Sequence, residues 1–356
     1  MANPLLGIFF HATGGFAAGS FYLPIKKIEK WSWESAWLTN GLFAWLIVPI
    51  AVSLITVPNT IGILVATPTS SVFWTFFFGM LWGIGGLTFG MAMRYLGISL
   101  GMALALGITA AFGTLLPPIY DGKFGELISS SSGKWVLLGV GICLVGIGIC
   151  GRAGLLKDKE LSSVQKSEGV KEFNLGKGIV VALFAGVLSA CFAYGIVAGK
   201  PISEAAVLDG APNLWQNGPV FVVILLGGLF SNLVWCLRLN FKSRSYRDYI
   251  NGSTPLLKNY AFAALAGTTW YCQFMFYGMG STQMGAHDFA SWTLHMAFII
   301  LFSTFWGLVT KEWASTSKKT KLVLALGLLV LLFSTIVIGL SEQLVQLFNS
   351  AGRTSI

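Results

Sequence analysis

The residue types and spacings that could carry chemistry include a carboxylate, an indole and an imidazole in one apolar stretch. Asp288, Trp292 and His295 follow at i, i+4 and i+7, which puts them on one face of a helix. An ionisable side chain in an apolar run is costly to bury and marks a candidate functional site. A group that gains and loses a proton there could couple proton movement to solute binding. Alternatively, Asp288 is a solvated helix N-terminal residue, favoured by the helix dipole.

A second titratable group interrupts the first apolar stretch. His11 shares a helical face with Gly15, Ala18 and Tyr22. His11, His295 and Asp288 are therefore the candidates for proton coupling, and the alternative for each histidine is a neutral, hydrogen-bonded residue in a helix bundle. The three histidines are not accompanied by cysteine ligands and do not form a ligand set, so we expect no metal. We expect no cofactor other than a proton gradient.

The elements that position these groups are membrane helices. The 356 residues are 55% hydrophobic and 10% charged, which excludes a soluble enzyme with a solvated surface. Ten runs approach the roughly 20 apolar residues that a spanning helix needs, and the predicted fold class is an all-α integral membrane protein with ten transmembrane helices. The runs cover 4–25, 36–57, 71–93, 97–119, 135–151, 178–199, 217–237, 259–280, 286–310 and 321–341. The five cysteines lie inside these runs as small core residues.

Basic residues predict the orientation. The connections after helices 1, 3, 5, 7 and 9 hold 19 Lys and Arg residues, whereas the remaining connections and the termini hold 4. This bias places the odd-numbered connections in the cytoplasm and both termini outside, in the periplasm of a Gram-negative cell. The net charge of +9 is spread over these short loops, so we expect lipid and not nucleic acid as a partner.

The chain also contains a weak internal repeat. A shift of 188 residues aligns Gly79 and Trp82 with Gly267 and Trp270, and it places 96–97 on 284–285. A shift of 171 aligns Gly7, Gly15 and Phe21 with Gly178, Gly186 and Phe192. The predicted division is a first half at 1–155, a cytoplasmic linker at 156–177, a second half at 178–345 and a polar tail at 346–356. Since five is odd, the halves are inverted, as in secondary transporters.

Several longer stretches resemble a known family. They are FYLPIKKIEKWSWE at 21–34, the segment 82–97, WYCQFMFY at 270–277, DFASWTLHM at 288–296 and KEW at 311–313. Together they resemble the L-rhamnose–proton symporter family of the drug/metabolite transporter superfamily, over nearly the whole chain. The resemblance implies ten helices in a 5+5 inverted repeat and uptake of a 6-deoxyhexose with a proton in the bacterial inner membrane. The match is poorest at 58–70, at 200–217 and after 342.

A sugar offers hydroxyl groups and an apolar ring face, so its site should combine hydrogen-bonding amides with aromatic rings. Trp270, Gln273 and Tyr277 supply that combination at i, i+3 and i+7 of one helix. The complete set of expected substrate contacts is Gln273, Trp270, Tyr277, Trp292, Trp82 and Tyr22. The alternative for Gln273 is a hydrogen bond to another helix, and for the tryptophans ordinary packing.

Three charged residues lie at helix ends on the predicted cytoplasmic side. Arg94, Glu34 and Glu312 either anchor the helices at the interface or form an inner gate of salt bridges. The sequence favours a secondary transporter for L-rhamnose, a close 6-deoxyhexose or lyxose over an enzyme. The alternative is a related carrier for another sugar or small metabolite. The oligomeric state is not indicated.

Overall fold

The computed structural model describes residues 3–96, 98–120, 122–160 and 174–353, and its regular elements there are helices. The long helices are α1 Pro4–Ser20, α2 Trp33–Thr56, α3 Thr69–Leu96, α4 Ile98–Tyr120, α5 Ser131–Glu160, α6 Leu175–Ala198, α7 Gly218–Ser243, α8 Leu256–Gln283, α9 Ser291–Val309 and α10 Lys318–Gly339. Residues Phe43–Ile47 of α2 are π-helical. Shorter helices cover Tyr22–Ile25, Thr60–Ala66, Phe124–Ser129, Lys200–Leu208 and Ser341–Arg353.

Within the described residues, seven helical segments are long and apolar enough to cross a membrane. They are Trp33–Thr56, Thr69–Met93, Ser131–Glu160, Gly176–Leu208, Asn213–Ser243, Ser291–Val309 and Lys318–Gly339. Exposed Phe, Leu, Ile and Val side chains are abundant on these helices, as lipid-facing surfaces require. The chain is therefore a multi-pass integral membrane protein, as predicted.

The ninth predicted run differs from the structure at its start. Residues Gly285–Ala290 form a 3₁₀ helix, and α9 begins only at Ser291. Gly285 has a φ of +58°, a left-handed conformation that glycine adopts freely, and it separates α8 from α9. Asp288 therefore lies in the connecting turn, not within the spanning helix as we predicted. Hydropathy alone does not detect this break, because the turn itself is largely apolar.

The predicted linker and tail are only partly described. Residues 156–160 continue α5, and α6 begins after Asn174, whose side chain accepts a hydrogen bond from the Lys177 amide at 3.0 Å. The rest of the linker, 161–173, and the last three residues of the tail lie outside the described residues.

The main helix contacts join distant parts of the sequence. Helix α1 packs on α8 and α9, while α6 packs on α3 and α4. Helix α3 also packs on α7, α2 packs on α8, and α5 packs on α10. Small residues allow these close approaches: a Cβ on Gly79 of α3 would collide with the main chain of Ile224 in α7, and one on Gly267 of α8 with that of Asn40 in α2.

The connections gather at two ends of the molecule. At one end, Lys26 lies 3.3 Å from Glu312, Glu29 pairs with Lys258, and Lys157 lies over the Trp313 ring. These residues belong to the connections after α1, α5, α7 and α9, or to helix ends beside them. The connections after α4, α6 and α8 line a shared cavity instead. The first group therefore contains odd-numbered connections, and the connections that line the cavity are even-numbered.

Candidate functional site

Three ring side chains from three helices meet at the centre of the candidate site. His11 of α1 is fully buried, and its ring centroid lies 5.5 Å from that of Tyr277 on α8 and 6.3 Å from that of His295 on α9. The Tyr277 and His295 centroids are 5.3 Å apart. We call these three residues the histidine–tyrosine cluster. The structure thus brings both predicted histidines and one predicted substrate residue together.

Glycines make room for the two imidazoles. A Cβ on Gly280 of α8 would lie 2.8 Å from the His11 ring, and one on Gly14 of α1 would lie 3.1 Å from Cε1 of His295. A larger residue at either position would push an imidazole away from the helix it packs against. The close approach of α1 to its neighbours therefore depends on these small residues.

Three ring nitrogens of the cluster are open within the described residues. Both ring nitrogens of His11 and Nδ1 of His295 are buried without a hydrogen-bond partner. Gln273 lies one turn from Tyr277 on α8 and is 6% exposed, and its amide makes no hydrogen bond in the described part of the chain. Buried polar groups are usually paired, so a set of open ones indicates that a ligand, water or proton completes it.

Trp292 is close to the cluster, but its ring N–H already donates a hydrogen bond to another helix. Its ring lies 5.7 Å from Tyr277 and 5.5 Å from Phe192 of α6, and its Nε1–H donates to the Thr109 carbonyl of α4 at 3.0 Å. The indole thus links α9 to α4. Its donor is not free for a solute, and only the ring face could contact one.

Most of the other predicted aromatic residues pack near the turn of α8 that precedes Gln273, on the side away from Tyr277. We call this group of rings the panel. Trp270 stacks on Phe21, which directly follows α1, at 4.6 Å, and Trp82 of α3 lies 5.5 Å from Phe274. Both indoles are only partly buried. Tyr22 is 48% exposed and contacts Phe21, so it borders the panel and lies outside the histidine–tyrosine cluster.

The cluster lies between two cavities. A larger cavity of about 850 Å³ is lined by Lys123, Glu126, Lys200, Glu204 and Asp288 of the connections, and it includes Asn217 and Ser281. Ser281 is one turn beyond Tyr277 on α8. A smaller cavity of about 180 Å³ is lined by Cys150, Lys157, Glu312 and Trp313, and it includes Ile299, one turn beyond His295 on α9. Each cavity therefore has a lining residue about one helical turn from the cluster.

Asp288 belongs to the larger cavity and not to the cluster. Its side chain is exposed and accepts a hydrogen bond from Ser291 Oγ at 3.1 Å. Its carboxylate also interacts electrostatically with Lys200 and with the Tyr277 hydroxyl. Asp288 is therefore exposed to the cavity while within electrostatic reach of Tyr277.

The predicted gate residues have separate partners. Glu312 pairs with Lys26, and Glu34, which is 8% exposed, accepts a hydrogen bond from Ser245 Oγ at 2.6 Å. The side chain of Arg94 lies outside the described residues. Both described contacts join the first half of the chain to the second, as an inner gate would, but Glu34 acts through a hydroxyl and not through a salt bridge.

Comparison with known proteins assigns the chain to a family. Residues 1–343 match the family model for the L-rhamnose-proton symport protein (RhaT). The chain belongs to the L-rhamnose-proton symporter family. Proteins named L-rhamnose-proton symporter from Escherichia coli (strain SMS-3-5 / SECEC) and Shigella dysenteriae serotype 1 (strain Sd197) are each 40% identical over 347 residues, covering 96% of this chain and 99% of theirs. The resemblance inferred from sequence is thus confirmed, and the family is one of transporters, not enzymes.

In this symporter-family chain, sequence reasoning missed a set of main-chain contacts near the predicted gate. The buried Asn259 of α8 accepts from the Glu29 amide at 3.0 Å and donates to the Glu29 carbonyl at 2.9 Å. We call this pair of bonds the Asn259 clasp. An asparagine at the first predicted residue of an apolar run was the available signal, but nothing in the sequence identifies a partner 230 residues away.

A second missed feature is a polar network at the start of α2. Asp248 Oδ2 accepts from the Ser32 amide, the Ser32 hydroxyl and the Ser35 hydroxyl at 2.6–2.9 Å. Asn240 donates to the Tyr249 hydroxyl at 2.9 Å within the same region. The network joins α2 to the connection after α7, on the end of the molecule that carries the Lys26–Glu312 pair.

Proposed function

We propose that this protein takes up L-rhamnose, or a close 6-deoxyhexose or lyxose, together with a proton by alternating access. The observation that carries the proposal is the histidine–tyrosine cluster with the open Gln273 amide, buried about one helical turn from a cavity on either side. A carrier needs such an occluded site within reach of both sides. Family membership supplies the substrate class. A related carrier for another sugar or small metabolite is the alternative.

In this proposal the groups divide the work. Gln273 and Tyr277 exchange hydrogen bonds with sugar hydroxyls, while Trp270 and Trp82 offer ring faces to the apolar side of the sugar. His11 or His295 holds the coupled proton, since an imidazole changes charge near physiological pH. Asp288 attracts the proton at the larger cavity and is the third candidate for holding it. The energy comes from the proton gradient, without a cofactor.

We also propose the 5+5 inverted repeat, and the pattern of helix contacts supports it. If α1 corresponds to α6, α3 to α8 and α4 to α9, the packing of α1 on α8 and α9 maps onto that of α6 on α3 and α4. Individual residues follow: Gly7 abuts Met284 while Gly178 abuts Leu96, in agreement with the shifts of 171 and 188. The ring pair Phe21–Trp270 likewise maps onto Phe192–Trp82.

The proposed division keeps the boundaries given by the sequence, with halves at 1–155 and 178–345 joined by a cytoplasmic linker at 156–177 and followed by the tail at 346–356. All ten long helices would span the inner membrane. The Lys and Arg bias then assigns the odd-numbered connections to the cytoplasm and both termini to the periplasm. In that orientation the larger cavity faces the periplasm.

The test is binding of L-rhamnose, L-mannose, L-lyxose, L-fucose and D-glucose to the purified protein at pH 6 and pH 8. We expect L-rhamnose to bind, and to bind more weakly at pH 8 because the proton-loaded form is then scarce. Counterflow of labelled rhamnose in proteoliposomes should accompany binding. Absence of binding for every sugar at both pH values would refute the substrate and leave an inverted-repeat carrier of unknown cargo.

The same titration on Asp288→Asn identifies the proton site. If the pH dependence disappears in the variant, Asp288 holds the coupled proton. If it persists, the proton belongs to His11 or His295. Asp209→Asn is a suitable control, because Asp209 hydrogen-bonds to Asn59 at the same end of the molecule and does not line the larger cavity.

A further inference from the structure

Three buried polar atoms on α2 lack a partner within the described residues. They are both amide atoms of Asn40, which is fully buried, and Nε1 of Trp45, which is 1% exposed. Asn40 lies three residues before the π-helical segment Phe43–Ile47, and Trp45 lies within that segment. Single π-helical turns in longer helices are frequent at functional sites. Buried polar groups are normally paired, so this segment is incomplete in the conformation described.

The surroundings of Trp45 are aromatic. Its ring centroid lies 5.1 Å from Trp270, 6.0 Å from Trp37 and 6.3 Å from Trp82. Trp37 already donates its Nε1–H to Asn232 at 3.0 Å, whereas the Trp45 donor remains open. Together with Trp45, the panel therefore combines ring faces with one free N–H, that of Trp45. Asn40 adds a free amide on the same helix as Trp45.

Packing does not require an asparagine at position 40. Gly267 of α8 abuts the main chain of Asn40, and Gly79 of α3 abuts the main chain of Ile224. The shift of 188 equates the two glycines, so the two crossings are equivalent if the repeat holds. The residue that the glycine contacts is an isoleucine at the crossing of α3 and α7, and an asparagine at the crossing of α8 and α2. His11 breaks the repeat in the same way, since the shift of 171 puts the buried Ala182 in its place.

We propose that Asn40 and Trp45 contact the transported sugar directly, extending the central site along α2. Asn40 exchanges hydrogen bonds with one hydroxyl, the Trp45 N–H donates to a second, and the Trp270 ring covers the apolar face. Trp270 lies one turn from Gln273 on α8, so the two groups of contacts are continuous. The inference rests on the proposed function and adds a specificity-determining pair to it.

The variants Asn40→Leu and Trp45→Phe test the pair, because each removes the polar atoms and keeps most of the volume. Because the amide atoms of Asn40 are unpaired in the free protein, we expect Asn40→Leu to leave the unfolding temperature unchanged or higher, whereas Trp45→Phe leaves a small cavity and lowers it somewhat. For both variants we expect a Kd for L-rhamnose raised about tenfold or more. Asn232→Leu is the matched control: this buried asparagine accepts from Trp37 and donates to the Gly228 carbonyl, so its loss should lower the unfolding temperature and change the Kd less than about twofold.

Rhamnose analogues that each lack one hydroxyl provide the second measurement. An analogue missing the hydroxyl bound by Asn40 should bind wild type weakly and should lose nothing further in Asn40→Leu. An unchanged Kd in both variants overturns the inference, as does a fall in the unfolding temperature of Asn40→Leu like that of Asn232→Leu, which would reveal structural partners. Failure of the proposed function is recognised separately, because wild type then binds no sugar.

Discussion

At the scale of the residue, open hydrogen-bonding capacity distinguishes the candidate site residues from the scaffold. Trp292 and Gln273 both interrupt apolar sequence near the centre, yet Trp292 donates to a carbonyl of α4 while the Gln273 amide is unpaired in the described structure. Replacing an unpaired buried group by an apolar one removes a desolvation penalty, whereas removing one partner of a bond adds one. Stability measurements therefore separate residues kept for binding from residues kept for packing.

We expect His11 to be needed for coupling of proton movement to sugar transport. His11→Gln keeps polarity and approximate size but removes the titratable ring. We expect accumulation of labelled rhamnose against its gradient to fall at least tenfold, while counterflow, which needs no net proton movement, stays within about threefold of wild type. The measurement is uptake into proteoliposomes with and without an imposed pH gradient.

His287 offers a matched histidine control, since it lies in the 3₁₀ turn before α9 and not on a long helix. His287→Gln should retain accumulation. Full accumulation by His11→Gln would show that His11 does not hold the coupled proton and would leave His295 and Asp288 as candidates.

At the scale of the element, the connection after α1 is held by contacts of two kinds. The Asn259 clasp fixes the main chain of Glu29 by two hydrogen bonds from a buried residue. The Glu29 side chain also pairs with Lys258, and the bond and the charge together lower the pKa of that carboxyl below its ordinary value. A surface pair of this type adds little stability, and salt screens it.

The two contacts should respond differently to pH. Because the pKa of Glu29 is lower in the folded protein, its stabilising effect is complete above the ordinary carboxyl pKa of about 4.3 and is lost as the pH falls through the folded value. Glu29→Gln should therefore slightly lower the unfolding temperature at pH 7 and have a progressively smaller effect at acid pH, as the pH falls below about 4.3. Asn259→Ala should destabilise by about 2 kcal/mol at both pH values. Thermal unfolding in detergent at the two pH values measures both, and an effect of Glu29→Gln that grows towards acid contradicts the assignment.

Much of the element-scale structure is predictable from the sequence, but its interruptions are not. Hydropathy locates the long helices because lipid contact demands apolar side chains over a fixed length. It does not detect the turn that removes Asp288 from α9, since Gly285, Phe289 and Ala290 are themselves apolar. The π-helical segment in α2 is equally invisible, because it depends on how α2 packs against its neighbours. Asp288 precedes the first residue of α9, so its i, i+4, i+7 spacing to Trp292 and His295 does not run along a single α-helix.

At the scale of the whole molecule, contacts between distant segments hold together the end that lies opposite the larger cavity. Lys26–Glu312, Glu34–Ser245 and the Asn259 clasp each join the first half of the chain to the second. In the proposed orientation these contacts close the cytoplasmic side, and opening that side requires at least some of them to break. Their energies then help to set the balance between the outward-facing and inward-facing states.

The Lys26–Glu312 pair provides a test with a native reporter. Cys150 lines the smaller cavity together with Glu312, whereas Cys143 lies two turns away on α5 and is fully buried. Lys26→Glu should favour opening and raise the rate at which a membrane-impermeant thiol reagent modifies Cys150 from the cytoplasmic side. Because an exposed pair contributes at most about 1 kcal/mol, we expect an increase of no more than about fivefold.

The swapped variant Lys26→Glu with Glu312→Lys restores the pair and should return Cys150 modification to the wild-type rate, while Cys143 stays unreactive throughout. The expectation is contradicted if the swap remains as reactive as the single variant, because the effect then arises from the residues individually and not from their interaction.

The packing of α1 on two helices from the second half of the chain also constrains biogenesis. Helix α1 emerges from the ribosome first, but the helices that cover it, α8 and α9, are synthesised more than 200 residues later. Until then His11 has neither Tyr277 nor His295 beside it, and the small-residue face of α1 remains open to lipid. Assembly of the first half in the bilayer is thus provisional, and the proposed transport site is completed only when translation is nearly finished.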